Sequence, residues 1–383
     1  MAERKITFFP VENGQAVLVS LDDQTHLLFD IKQKPDDEEH EKEWDVHKWL
    51  LEVLPKRNDS YILSVFCLSH ADIDHCQGFE RVFSYGNSET NEELRIIIDE
   101  LWVTADFFHN KLEGSAAIIQ NEAKRRLTLW LDPQQLEKAK EPGNRLVVFG
   151  GSRDQDLKKL PTSIRPVAGE DVNTVCGTVR SDFSFFVHWP FREIVDEEKE
   201  DRNESSLVGL LSIMEQDESA TMLLGGDAGC WIWDIIYKKT EEKRRLNKLK
   251  WNVFFVPHHG SYGFFTEKTG NEGRDEARDN PIKSSLEILG LGLDKSWIVC
   301  SSRVPKDRNY TDDNPPHIQA VNHYKDCAEK KKGQFICLMQ YPNEDKPEPL
   351  VLRLTPGGLQ EKKIQCSVNR GVDSVAGTPQ RWG

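Results

Sequence analysis

An α/β fold is what this sequence of 383 residues predicts, and three kinds of observation carry the prediction. Short apolar runs of strand length, such as Tyr61-Ile-Leu-Ser-Val-Phe-Cys-Leu68, are continuously apolar, as strands covered on both faces are. Between such runs lie segments with apolar residues at helical spacing, Trp44–Leu54 and Asn110–Leu131 among them. Three of the strands also run straight into ligand-type residues: Ser69-His-Ala-Asp-Ile-Asp-His75, Gly225-Gly-Asp227 and Pro257-His-His-Gly-Ser261.

In chain order, Ile6–Phe9 and Ala16–Leu21 read as strands joined through Asn13-Gly14, a turn signal. A third strand, His26–Ile31, contains Asp30 at its end. The acidic run Asp36–Glu43 reads as a solvated loop, which makes His40 and His47 poor ligand candidates. Trp44–Leu54 is helical and Pro55 stops it. After the His-x-Asp-x-Asp-His segment, Gly78–Phe83 begins a helix packed on the sheet, and Ile96–Thr104 contains a core strand. Asn110–Leu131 lines up Ala116, Ile119, Ala123, Leu127 and Trp130 along one face, and Pro133 and Pro142 bracket a further short helix. This insertion, about 105–145, reads equally as a cap over a site or as a flank away from it.

Arg145–Phe149 and Phe183–Trp189 are strands, with His188 on the second as a packed core histidine. A charged loop, residues 193–204, leads into a core strand at Ser205–Ile213. Met222–Asp227 is an apolar strand ending in an acid, before a helix at Trp231–Lys238 for which Asp227 could serve as N-cap. Trp251–Val256 delivers His258 and His259. A charged loop at Thr266–Asp279 is expected next, then a helix at Ile282–Leu289 and a strand at Trp297–Ser301. His317 stands at a helix start, and two closing strands, Gln334–Tyr341 and Leu350–Thr355, read as a hairpin. The tail 366–383, rich in Gly, Ser, Thr and Pro, reads as flexible, and no internal repeat is evident.

Four ligand-type side chains fall within six positions, His70 to His75, on a turn after a buried strand. His70 and Asp72 can point to one side while Asp74 and His75 turn to the other, so one segment can grip two metal ions. The run His70-Ala-Asp-Ile-Asp-His75 resembles the second motif of the metallo-β-lactamase superfamily, in a His-x-Asp-x-Asp-His variant. Asn13–Val19 with Leu27–Asp30, Asn203-Glu-Ser-Ser-Leu-Val208, Leu223–Asp227 and Val256–Ser261 follow that superfamily's order and are similar to the branch of competence DNA-uptake hydrolases of the ComEC type. The resemblance covers residues 6–355 and implies a four-layered αββα metallo-β-lactamase sandwich, one domain over 1–365, with metals at one edge between the sheets. It implies His70, Asp72, Asp74, His75, Asp227 and His259 as ligands, Asp74 and Asp227 as the catalytic carboxylates, and Asp227 as a bridge between two divalent ions. Asp30 would orient a ligand histidine, or else cap its strand, while Asn203, Ser206, His258, Ser261 and His317 would surround the ligands or face substrate. Asn203 and Ser206 stand where many members carry a metal-binding histidine. The resulting oxygen-rich set favours Mn²⁺, with Mg²⁺ suited as well and Zn²⁺ able to bind.

The implied chemistry is metal-dependent hydrolysis by activated water, with a phosphodiesterase or nuclease acting on nucleic acid as the first reading. A hydrolase of a small nucleotide, phosphoester or lactone is the second, and a regulatory subunit with a protein partner in a bacterial defence assembly the third. The net charge of −14 weighs against a broad nucleic-acid footprint, although Lys124-Arg-Arg126 and Lys243-Arg-Arg245 are basic clusters. No apolar run approaches the roughly 20 residues that span a bilayer, so no membrane partner is expected. Met1–Thr7 lacks the apolar core of a signal peptide, and eight cysteines without a Cys-x-x-Cys pair read as reduced thiols of a cytoplasmic protein.

Overall fold

The computed structural model describes residues 3–35, 37, 39–86, 95–109, 111–151, 154–191, 205–306 and 314–364. Strands β1 (Lys5–Phe8), β2 (Val17–Ser20) and β3 (His26–Phe29) make an antiparallel meander. Helix α1 (Val46–Val53) starts where the Asp45 side chain accepts the Lys48 N–H, a cap that satisfies one otherwise orphaned donor. Strand β4 (Lys56–Arg57) turns into β5 (Ser60–Cys67), which runs parallel to β3. The short helices α2 (Ile73–Cys76) and α3 (Phe79–Val82) follow, then β6 (Ile97–Thr104), α4 (Gly114–Leu131), α5 (Leu136–Ala139) and β7 (Arg145–Phe149).

After α6 (Gln155–Lys159) come β8 (Asp171–Val172), the small hairpin β9 (Thr174–Val175) and β10 (Thr178–Val179), and the antiparallel β11 (Phe183–Trp189), β12 (Val208–Glu215) and β13 (Glu218–Leu224). Helix α7 (Cys230–Glu242) leads to β14 (Trp251–Phe255), and α8 (Gly270–Asp279) and α9 (Lys283–Gly290) lead to β15 (Gly292–Cys300). Helix α10 (Ile318–Lys330), β16 (Gln334–Cys337), β17 (Leu350–Thr355) and β18 (Gly358–Glu361) complete the described chain.

One sheet has nine strands in the order β18-β17-β1-β2-β3-β5-β6-β7, with β4 beside β5; the other has seven, β16-β15-β14-β13-β12-β11-β8. Between them lies a core drawn from both, including Ile6, Val19, Phe29, Trp102, Phe185, Met222 and Val253. Among its aromatic side chains Trp102 packs edge to face on Phe149, at 5.4 Å between ring centroids, and Phe29 stacks on Phe185 at 5.9 Å. Each fully buried side chain of this kind contributes roughly 1.5–3 kcal/mol. A second core joins the outer face of the first sheet to helices α1 to α4, and a third joins the other sheet to α7 to α10. The layers are thus α, β, β, α, the architecture that the sequence predicts.

Helix α4 belongs to the outer layer. Ala116, Ile119, Ala123 and Leu127 face the core, while the buried Arg126 pairs with Glu122 and donates to the carbonyls of Ile98 and Arg145. Two expectations fail. Residues 270–279 form helix α8, not a loop, because the face it buries consists of Gly273, Arg274 and Ala277, which carries no apolar periodicity. The closing strands are not a hairpin either: β16 pairs with β15 and β17 with β1, in different sheets. His188 is a core histidine, donating from Nε2 to the Lys248 carbonyl at 2.8 Å. The tail 366–383 and the loop 193–204, with Asn203, lie outside the described residues. Among the described residues no helix is long and apolar enough to cross a membrane.

Candidate metal centre

Parallel strands deliver their carboxyl ends to one edge, where open α/β sheets carry their sites. Here β3 ends before Asp30 and β5 before His70, while in the facing sheet β13 leads to Asp227, β14 to His258 and His259, and β15 to Ser301. The sharp turn after β13 needs Gly226, at φ +48; a Cβ there would stand 3.1 Å from both Ser206 and Ser69. Ser206 is fully buried and its hydroxyl oxygen accepts the Asp227 N–H at 3.1 Å, which fixes the carboxylate's backbone.

The imidazoles are oriented from behind. His75 donates from Nδ1 to Asp30 Oδ2 at 2.8 Å, and His259 donates from Nδ1 to the Ser301 carbonyl at 3.0 Å. Ser69 gives its one hydroxyl proton to Asp30 Oδ2, at 2.7 Å, so at His70 Nδ1, 3.0 Å away, its oxygen accepts. All three rings therefore turn Nε2, not Nδ1, toward the cluster, and none of these Nε2 atoms has a hydrogen-bond partner among the described residues. Asp227 Oδ1 is likewise buried without one. Asp30 is itself fully buried at φ 57, a left-handed conformation that Asp tolerates better than most residues.

These nitrogens and the carboxylates converge. His75 Nε2 is 3.1 Å from Asp227 Oδ1, and His259 Nε2 is 3.0 Å from Asp74 Oδ2. Asp74, His75, Asp227 and His259 place one donor atom each within 4.8 Å of one another. Ligands about 2.1 Å from a common ion stand about 3.0 Å apart at a right angle and about 3.4 Å at the tetrahedral angle. His75 Nε2, His259 Nε2 and Asp227 Oδ1, buried close together without hydrogen-bond partners among the described residues, suit a cation at their centre. This cluster can hold a divalent metal ion.

The electrostatics agree. Burial and the neighbouring His75 push His70 down to about 3, so its Nε2 stays an electron donor at neutral pH. Burial opposes charge on His75 too, yet the Asp227 and Asp30 carboxylates on either side raise it well above its ordinary value. Asp227 and Asp74 are held below the usual carboxylate range against burial, by His75 and His259 at the first and chiefly by His259 at the second. The pocket is one that demands positive charge.

Of the residues the sequence singled out, His70, Asp72, Asp74, His75, Asp227, His258 and His259 meet at this edge. Asp72 Oδ2 lies 3.7 Å from His70 Nε2. Ser261 and His317 do not face the cluster's centre. The Ser261 hydroxyl accepts the Gly263 N–H and caps the next turn. His317 starts α10, accepts the Tyr262 N–H at Nδ1 and packs its ring on Tyr262. Ser69 and Ser301 escaped the sequence reading. Ser69 directly precedes the ligand motif, which was a usable signal; Ser301 acts through its backbone carbonyl, which no side-chain pattern reports.

The chain matches no family model and no curated protein. Among solved structures it is similar to the metallo-β-lactamase GOB-18 from Elizabethkingia meningoseptica, at 9% identity and a TM-score of 0.29, over 87% of this chain and 92% of that one. At that likeness the fold is defined by this chain's own sheet order and its α, β, β, α layering.

Proposed function

We propose that this protein is a metal-dependent hydrolase of phosphodiester bonds, with nucleic acid as the substrate. The observation that supports it most is the convergence of oriented, unsatisfied donors, His75 Nε2, His259 Nε2 and Asp227 Oδ1, on one point beside Asp74. Asp74, His75, Asp227 and His259 would hold one divalent ion, and His70 and Asp72 extend the donor set toward a second. When bound, such ions make water acidic enough to attack at neutral pH and polarise the oxygens of the scissile group. The protein's part is positional. Asp30 and Ser301 fix which nitrogen of His75 and His259 faces the centre, and Ser206 holds the backbone of Asp227. Asp74, partly exposed at the mouth, would take a proton from the attacking water. The neighbouring serines are committed elsewhere, Ser69 as a donor to Asp30 and Ser261 as a cap, which leaves water as the nucleophile.

A second reading, hydrolysis of a small nucleotide, is favoured by the net charge of −14, since a long polyanion is repelled by it. Incubation with single- and double-stranded DNA, RNA and cyclic dinucleotides, with Mn²⁺ and with a chelator control, separates the two. Chelator-sensitive cleavage of the polymers supports the nuclease; cleavage of cyclic dinucleotides alone supports the second reading; no phosphodiester cleavage in any arm refutes both.

A further inference from the structure

Two adjacent residues, His258 and His259, both occupy left-handed backbone, at φ 47 and φ 51. Neither is a residue that adopts it at no cost, and two in succession are rarer still. Such strain persists where the surroundings demand it. Here a hydrogen bond from His258 N–H to the Gly226 carbonyl, 3.0 Å, and one from Ser261 N–H to the His258 carbonyl, 2.8 Å, pin the kink. The kink carries both rings to the Asp227 carboxylate. His259 Nε2 and His258 Nε2 each lie 3.8 Å from Asp227 Oδ2.

The far side of that carboxylate has its own unsatisfied donor. His70 Nε2 is buried, lacks a hydrogen-bond partner among the described residues, and also lies 3.8 Å from Asp227 Oδ2. Asp72 Oδ2 stands 3.7 Å from the same nitrogen. Oδ1 of Asp227 stands 3.1 Å from His75 Nε2, while Oδ2 is the oxygen that His70, His258 and His259 approach. On the second side His70, Asp72 and Asp227 supply three donors, and His258 approaches as the fourth.

We infer that His258 is a metal ligand in its own right: with His70, Asp72 and Asp227 Oδ2 it holds a second divalent ion, while its neighbour His259 serves the first. The inference rests on the metal centre proposed above. The ring of His258 is about a third exposed, which also leaves that ion open to substrate.

The test counts ions and looks at their coupling rather than at turnover. Chelator-stripped protein is loaded with Mn²⁺, passed through a desalting column, and measured for metal per chain and by electron paramagnetic resonance. Wild type is expected to retain two Mn²⁺ per chain with the multiline signal of an exchange-coupled pair. His258→Gly, which removes the ring and suits φ 47, is expected to retain one, with an isolated six-line signal and no loss of thermal stability in the metal-free state. His258→Asn, which tolerates left-handed backbone, checks the result with a side chain in place. Two coupled ions in both variants would overturn the inference, as would a wild type that binds only one. A wild type that binds none would overturn the metal centre as well, so the two failures are distinguishable.

Discussion

Asp30→Asn isolates the orientation of a ligand from the architecture around it. The carboxylate accepts three hydrogen bonds: Ser69 N–H on Oδ1 at 2.6 Å, and Ser69 hydroxyl and His75 Nδ1–H on Oδ2 at 2.7 and 2.8 Å. Asparagine has the same shape and tolerates φ 57, so its carbonyl can keep the Ser69 N–H. Its NH₂ then occupies the place of Oδ2 and donates, to Ser69 Oγ and to His75 Nδ1. His75 can accept only by moving its proton to Nε2, the atom that faces Asp227. Replacing charged acceptors by a neutral donor costs about 1–3 kcal/mol of stability. The wrong tautomer costs about 10–100-fold in metal affinity, as loss of such supporting partners does. Urea unfolding and Mn²⁺ titration against a fluorescent chelator measure the two terms separately. A variant that lost stability yet bound Mn²⁺ as tightly as wild type would show that Asp30 is structural only.

Three further outcomes are expected. Arg126→Ala should cost about 1–3 kcal/mol in urea unfolding, because it strips donors from the Ile98 and Arg145 carbonyls while Glu122 keeps its pairing with Arg125. Burial pushes His188 from its ordinary 6.5 down to about 4, so between those values the unfolded chain binds the proton and the folded one does not; stability should fall as pH drops through that window, and His188→Gln should show a shallower fall in urea midpoints between pH 7 and pH 5. Chelator-treated protein should regain most hydrolysis with Mn²⁺ and much less with Zn²⁺, and Asp72→His should shift the preference toward Zn²⁺; full activity with Zn²⁺ and none with Mn²⁺, in a metal titration of turnover, would refute the argument from oxygen-rich donors.

The strand ends were legible because chemistry and periodicity coincide there: an apolar run that stops at His70, at Asp227 or at His258 can only be a strand emptying into a polar site. Asp30 was legible only through the resemblance, which puts an aspartate behind a ligand histidine; its own residue pattern reads equally as a strand-end cap. Periodicity carries no address, however. Nothing in Gln334–Cys337 or Leu350–Thr355 says which sheet each strand joins, so their pairing was misread. Helix α8 was hidden because its buried face is a glycine, an arginine and an alanine. The register of His258 and His259 was illegible since it depends on two φ angles that sequence pattern does not encode. Ser301 was missed because its contribution is a carbonyl.

The donors come from both sides of the interface between the sheets. Asp74 and His75 grow from the sheet that starts the chain; Asp227 and His259 grow from the other. An ion bound by all four is therefore a clasp across two halves of the molecule, and its binding energy adds to their cohesion while adding nothing within either half. With metal at a hundred times its dissociation constant the gain is about 2.7 kcal/mol, comparable to burying one further large side chain between the sheets. Depletion of the metal should thus loosen the protein unevenly. Amide exchange should quicken first for β3, β5, β13 and β14 where they meet at the metal edge, while the opposite ends of the same strands, remote from the clasp, stay protected.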